Sequence, residues 1–109
     1  MARLARTIVV VLALVAAPAH ADDALIAAGR VIAAKNCSHC HAIGPNDLSP
    51  NPKSPPFRTL AQKYPLSNLE EALGEGIMVG HEGLEMPNFR FDAQQIAALM
   101  AFLESIQKK

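Results

Sequence analysis

The sequence predicts an all-α domain, and three observations carry that reading. Apolar residues recur at helical spacing in two stretches, around residues 25–33 and 96–106. Two segments have the pattern of a capping box, Ser67–Glu70 and Asp92–Gln95. No segment shows the sustained alternation of a half-buried strand. With 109 residues the chain allows one small domain.

The first 21 residues read as separate from that domain. Arg3 and Arg6 precede the apolar run Ile8–Ala17, and Pro18 and the small-residue pattern Ala19-His20-Ala21 follow it. A basic start, a short apolar stretch and an Ala-x-Ala site make a secretory signal peptide, cleaved after Ala21. The run is short for a membrane span. The expected mature domain is therefore 22–109, 88 residues long. Losing Arg3 and Arg6 lowers the basic count from 10 to 8 against 10 acids, a formal balance of −2. An acidic domain with scattered lysines is a poor nucleic-acid binder, since phosphate binding needs clustered Lys and Arg. Nothing after residue 21 reaches transmembrane length, so a soluble periplasmic protein is expected. In that oxidising compartment a small domain with two cysteines is expected to be stapled through them.

Along the mature chain, Asp22 and Asp23 can cap a first helix running to about Lys35, with Leu25, Ile26, Gly29, Ile32 and Ala33 on one face. Gly29 costs helix stability there, by about 1 kcal/mol relative to alanine, but admits a close neighbour. Phe102 on the last helix is the natural partner. Residues 44–56 hold five of the eight prolines and form a loop. A short helix follows at about Phe57–Lys63, with Phe57, Leu60, Ala61 and Tyr64 on one side. Ser67 then opens a helix through Leu73, closed by Gly74 and Gly76. Residues 77–91 read as an irregular connection. Asp92 and Gln95 cap the last helix, Phe91 and Ile96 staple it, and Ile96, Leu99, Met100, Leu103 and Ile106 make its apolar stripe.

The chemistry sits in Cys37-Ser38-His39-Cys40-His41, which holds both cysteines. On a helical turn, positions i, i+3 and i+4 share a face, so Cys37, Cys40 and His41 point one way and Ser38 and His39 another. Two thiols so placed can add to the vinyl groups of a porphyrin, and the following imidazole reaches its iron. That is the C-x-x-C-H pattern of covalent c-type haem attachment. A thioredoxin-like dithiol would need a βαβ context, which is missing here. A zinc site would need four ligands, for which Cys37, Cys40, His41 and His81 are the candidates. Adjacent Cys40 and His41 converge poorly on one small ion. With His41 on one face of the iron, Met78, His81, Met86 and Met100 compete for the other. Met86 ranks first, because Pro87 holds it in extended geometry outside any helix and a His–Met pair is a recurrent haem ligation. Met100 belongs to the core stripe, Met78 suits pocket lining, and His81 is the rival.

Gly29, the C-x-x-C-H motif, the SPPFR segment, GIMVGHEGLEMPNF and the closing helix DAQQIAALMAFLESI together resemble the class I c-type cytochromes, the short single-haem proteins of bacterial periplasms. The resemblance implies a small cytochrome c fold. N- and C-terminal helices cross through Gly29 and Phe102, and short helices and loops enclose one covalently bound haem c with its iron. It also implies that a proline carbonyl orients the ligating histidine, and Pro55 is the matching position. Ala33 stands where such proteins carry a large aromatic, so that packing differs. Arg58, Tyr64 and Asn88 are candidates to bond the haem propionates or the methionine sulfur.

An iron held by His41 and Met86 has no open position and can only gain or lose one electron. The thioether favours the ferrous state, and an apolar pocket, assigned to Ile43, Phe57, Leu60, Leu69, Leu73, Ile77 and Val79, pushes the same way. The function read from this is one-electron transfer between redox partner proteins, by a monomer or a subunit of a larger complex, and not an enzyme. The alternative is a haem-based ligand binder or weak peroxidase with a labile sixth ligand, in which His81 or Glu82 acts on the open side.

Overall fold

The structure, a computed structural model, describes residues 2–5, 7–14, 21–76, 80–81, 84–87 and 89–108. Outside the described residues lie 15–20 of the expected leader, Ile77, Met78, Val79, Glu82, Gly83 and Asn88, together with the side chains of His81 and Glu85. Residues 7–14 form neither helix nor strand, and Ile8, Val9, Val10, Val11, Leu12 and Leu14 are each at least 72 % exposed. No helix among the described residues is long and apolar enough to cross a membrane.

Helix α1 spans Ala21–Asn36, with Asp22 and Asp23 inside its first turn and Lys35 in its last, charges that oppose both ends of the helix dipole. Its chief partner is α3, Ala93–Ile106. The two backbones meet at Gly29: a Cβ built there would lie 1.8 Å from the Ala98 carbonyl oxygen and 2.8 Å from Phe102 Cβ. One turn on, Ala33 is fully buried. A small residue at this second crossing position lets Leu99, Phe102 and Leu103 fill the space between the helices.

Asp92 caps α3 as its sequence suggests. Gln95 N–H donates to Asp92 Oδ1 at 2.8 Å, and Asp92 N–H donates to Gln95 Oε1 at 2.9 Å. Asp92→Ala is expected to cost about 1 kcal/mol, because it strands an amide at the helix start, and the denaturant midpoint of the holoprotein measures that loss.

Two shorter elements differ from expectation. The segment Phe57–Gln62 is a 3-10 helix, not an α-helix. At three residues per turn Phe57 and Leu60 fall on one buried face, whereas Ala61 turns outward and Tyr64 stays 37 % exposed. Helix α2 runs Leu66–Glu75, with Pro65 at its N-cap and no side-chain cap. Ser67 therefore lies within the first turn, and the capping box expected at Ser67–Glu70 does not form. The chain enters the helix earlier, which lets Leu66 join Leu69 and Leu73 against the core. Gly76, at φ 96°, ends it, as only glycine does without strain.

Inside the stretch expected to be irregular, β1 (Gly80–His81) and β2 (Leu84–Glu85) make a two-residue antiparallel ladder pairing Gly80 with Glu85 and His81 with Leu84. It is too short to alter the all-α architecture. The core gathers residues from α1, the 3-10 helix, α2 and α3.

Candidate haem site

Helix α1 delivers the CSHCH segment directly. Cys37 and Ser38 N–H both donate to Ala33 O, at 2.8 and 3.1 Å, and His41 N–H donates to Cys37 O at 2.9 Å. The chain thus keeps turning beyond Asn36 and brings Cys37, Cys40 and His41 to one side. All three border a first hollow of about 110 Å³. Ser38 turns back to bond Ala34 O. His39, expected to face away, is exposed and stands at the rim of that hollow.

The two thiols are not joined. Burial pushes the Cys37 thiol up to about 11, which keeps it neutral. Among the described residues no three His, Cys, Asp or Glu side chains gather as a metal site.

His41 is 7 % exposed, and its Nδ1 lies 2.8 Å from Pro55 O. In the tautomer this contact selects, Nδ1–H donates to the carbonyl. The Phe57 ring packs on the imidazole, with centroids 4.8 Å apart. The loop is folded back to make this possible: Asn51 N–H donates to Cys40 O, Ser54 N–H to Asn51 O, and Phe57 N–H to Ala42 O.

A second hollow, of about 90 Å³, lies among Phe57, Leu60, Leu69, Leu73, Leu99 and Leu103. Four of these were expected pocket residues. Leu99 and Leu103 were assigned only to the helix stripe, although their i, i+4 spacing already places them on one face. Ile43 packs on the core instead. Cys37, His41 and Met86 border both hollows. Met100 is buried in the core cluster and borders neither of them.

Of the candidates for haem carboxylates or the methionine sulfur, Arg58 is committed elsewhere. Its Nη1 donates to Asp47 O at 2.7 Å and Gly44 O at 3.4 Å, and sits 3.8 Å from Asp47 Oδ1. Tyr64 borders the second hollow, where burial raises its phenol above the ordinary range. Ser54 Oγ, which no sequence pattern singles out, is buried without a hydrogen-bond partner and borders the first hollow.

These features fit a flat, mostly apolar cofactor held through sulfur: two unjoined thiols on one turn, an oriented imidazole, a thioether on the same hollows, and walls of Leu and Phe. The family model for cytochrome c matches residues 26–107. The chain belongs to the cytochrome c family. Searches of curated proteins and of solved structures returned no match. As a cytochrome c, the protein carries a covalently bound c-type haem, whose iron supplies one-electron chemistry. What the chain's own residues present to such a group is two unjoined thiols, an imidazole held against Pro55 O and walls of Leu and Phe.

Proposed function

We propose that this cytochrome c is a periplasmic one-electron carrier, not an enzyme, in which Cys37 and Cys40 form the haem thioethers and His41 and Met86 bind the iron. The observation that carries the reading is the placement of Cys37, His41 and Met86 on the border of both hollows. A group large enough to fill the two would be touched by all three.

Each residue has a physical task in this reading. Pro55 O accepts the Nδ1 proton of His41, fixes the ring and assigns iron binding to Nε2. Met86 supplies a soft sulfur that favours the ferrous state. Phe57, Leu60, Leu69 and Leu73 keep water out and disfavour the extra charge of the ferric state. Residues 1–21 serve as a cleaved export signal, in keeping with the exposed apolar run at 8–12. The carrier works between redox partner proteins, as a monomer or as a subunit of a larger oxidoreductase.

The test is Met86→Ala in protein exported by a host competent in haem attachment. The wild type should show a mass with one haem added and residues 1–21 removed, a haemochrome spectrum of the c type, and the weak long-wavelength sulfur-to-iron band when oxidised. The variant should lose that band, bind carbon monoxide readily when reduced, and fall in potential. Wild-type protein that lacks the band and binds carbon monoxide would instead mean a ligand-binding or peroxidatic site.

A further inference from the structure

The geometry points to Gln107, at the end of α3, as a positioning residue for the proximal histidine. This inference rests on His41 being the iron's histidine.

Gln107 places its whole amide against the 3-10 helix and its own last turn. Nε2 donates to Phe57 O at 2.7 Å and to Leu103 O at 2.8 Å, and Oε1 accepts Ala61 N–H at 2.8 Å. The next residue adds a fourth tie, Lys108 N–H to Arg58 O at 2.9 Å. On its other side the same segment is fastened to the attachment loop through Phe57 N–H to Ala42 O and Arg58 Nη1 to Asp47 O.

Between this clamp and the Pro55 carbonyl stands one residue, Pro56, whose ring fixes φ. Pro55 is itself a proline. With so little torsional freedom in between, the position of Phe57 is passed to Pro55 O with little damping. That oxygen sits 2.8 Å from His41 Nδ1, and the Phe57 ring flanks the same imidazole. Gln107 therefore reaches the iron's ligand through two neighbours while touching neither hollow.

The consequence has a sign. A firm Nδ1–H···O=C bond leaves negative charge on the ring, strengthens Nε2 as a donor and favours ferric iron. Loosening the clamp lengthens that bond, weakens the donor and raises the reduction potential.

The experiment compares holoprotein carrying Gln107→Leu, which removes all three amide bonds, with Gln107→Glu, which keeps the acceptor for Ala61 and lacks the donors. Ile26→Ala, on the far part of α1, serves as a control for general destabilisation. Two quantities are read: the potential, and the rate at which the His41 Nδ1 proton exchanges with D2O in the reduced protein by NMR. Exchange about tenfold faster in Gln107→Leu, with a higher potential, is expected. Gln107→Glu, whose carboxylate oxygen faces the Phe57 and Leu103 carbonyls, should also speed exchange, its added negative charge opposing the rise in potential. Ile26→Ala should lower the melting temperature and move neither. Gln107 variants that lose stability like the control, with exchange and potential unchanged, would overturn the inference. A wild type whose His41 ring protons lack the strong ring-current shifts of an iron ligand would overturn the proposed ligation as well.

Discussion

Gly29→Ala is expected to destabilise the holoprotein by about 2–4 kcal/mol, seen as a lower denaturant midpoint at an unchanged slope. Local chemistry argues the other way, since alanine is the better helix former by about 1 kcal/mol. The close approach decides the outcome. The added methyl would lie 1.8 Å from Ala98 O and 2.5 Å from Ala98 C, and a backbone carbonyl has no alternative rotamer. The helices must separate, and Ala33, Leu99 and Phe102 then lose contacts together. Exposed Ala28→Gly on the same helix should cost only the propensity difference. A Gly29→Ala protein as stable as the wild type would mean that α1 and α3 do not meet there.

Removing the attachment chemistry should have an even larger effect. The double variant Cys37→Ala/Cys40→Ala, purified free of haem, is expected to lack cooperative thermal unfolding and to lose much of its helical circular dichroism. Hollows of about 110 and 90 Å³ meet at Cys37, His41 and Met86, and the second is walled by Phe57, Leu60, Leu69, Leu73, Leu99 and Leu103. Without the haem those side chains face water, and a small domain with only about 5–15 kcal/mol of total stability has little margin to lose their burial. Folding and attachment are thus expected to be coupled. A haem-free double variant with wild-type helix content and a sharp melting transition would refute that coupling.

How far the sequence reveals this arrangement depends on the range of the interactions involved. The α3 cap was legible because Asp92 and Gln95 bond each other's backbone, three residues apart. The attachment turn was legible for the same reason, each of its backbone bonds spanning three to five residues. Ser67 misled, because its local capping pattern competes with the burial of Leu66, a tertiary effect. Six residues from Phe57 are too few to tell a period of 3.0 from 3.6, so the 3-10 helix read as an α-helix. Pro55 came from family resemblance alone; its contact depends on a loop folded back through bonds from Asn51, Ser54 and Phe57. Gln107 gave no signal. Its partners lie 46 and 50 residues away, and in sequence it looks like a fraying end.

The unbroken turn from α1 into Cys37 has a consequence for how chains of this kind can vary. Gly29 fixes where α1 docks, and Cys37 follows eight residues later on the same rigid rod, about 12 Å along its axis. That interval acts as a ruler. One residue inserted within it would swing both thiols about 100° around the axis and carry them off the cavity. The stretch between Ala42 and Asn51 has no such duty, since the fold-back that places Pro55 is fastened beyond it, by Asn51 N–H to Cys40 O and Ser54 N–H to Asn51 O. Length variation should therefore collect after the histidine, while the eight-residue measure before the first cysteine stays constant.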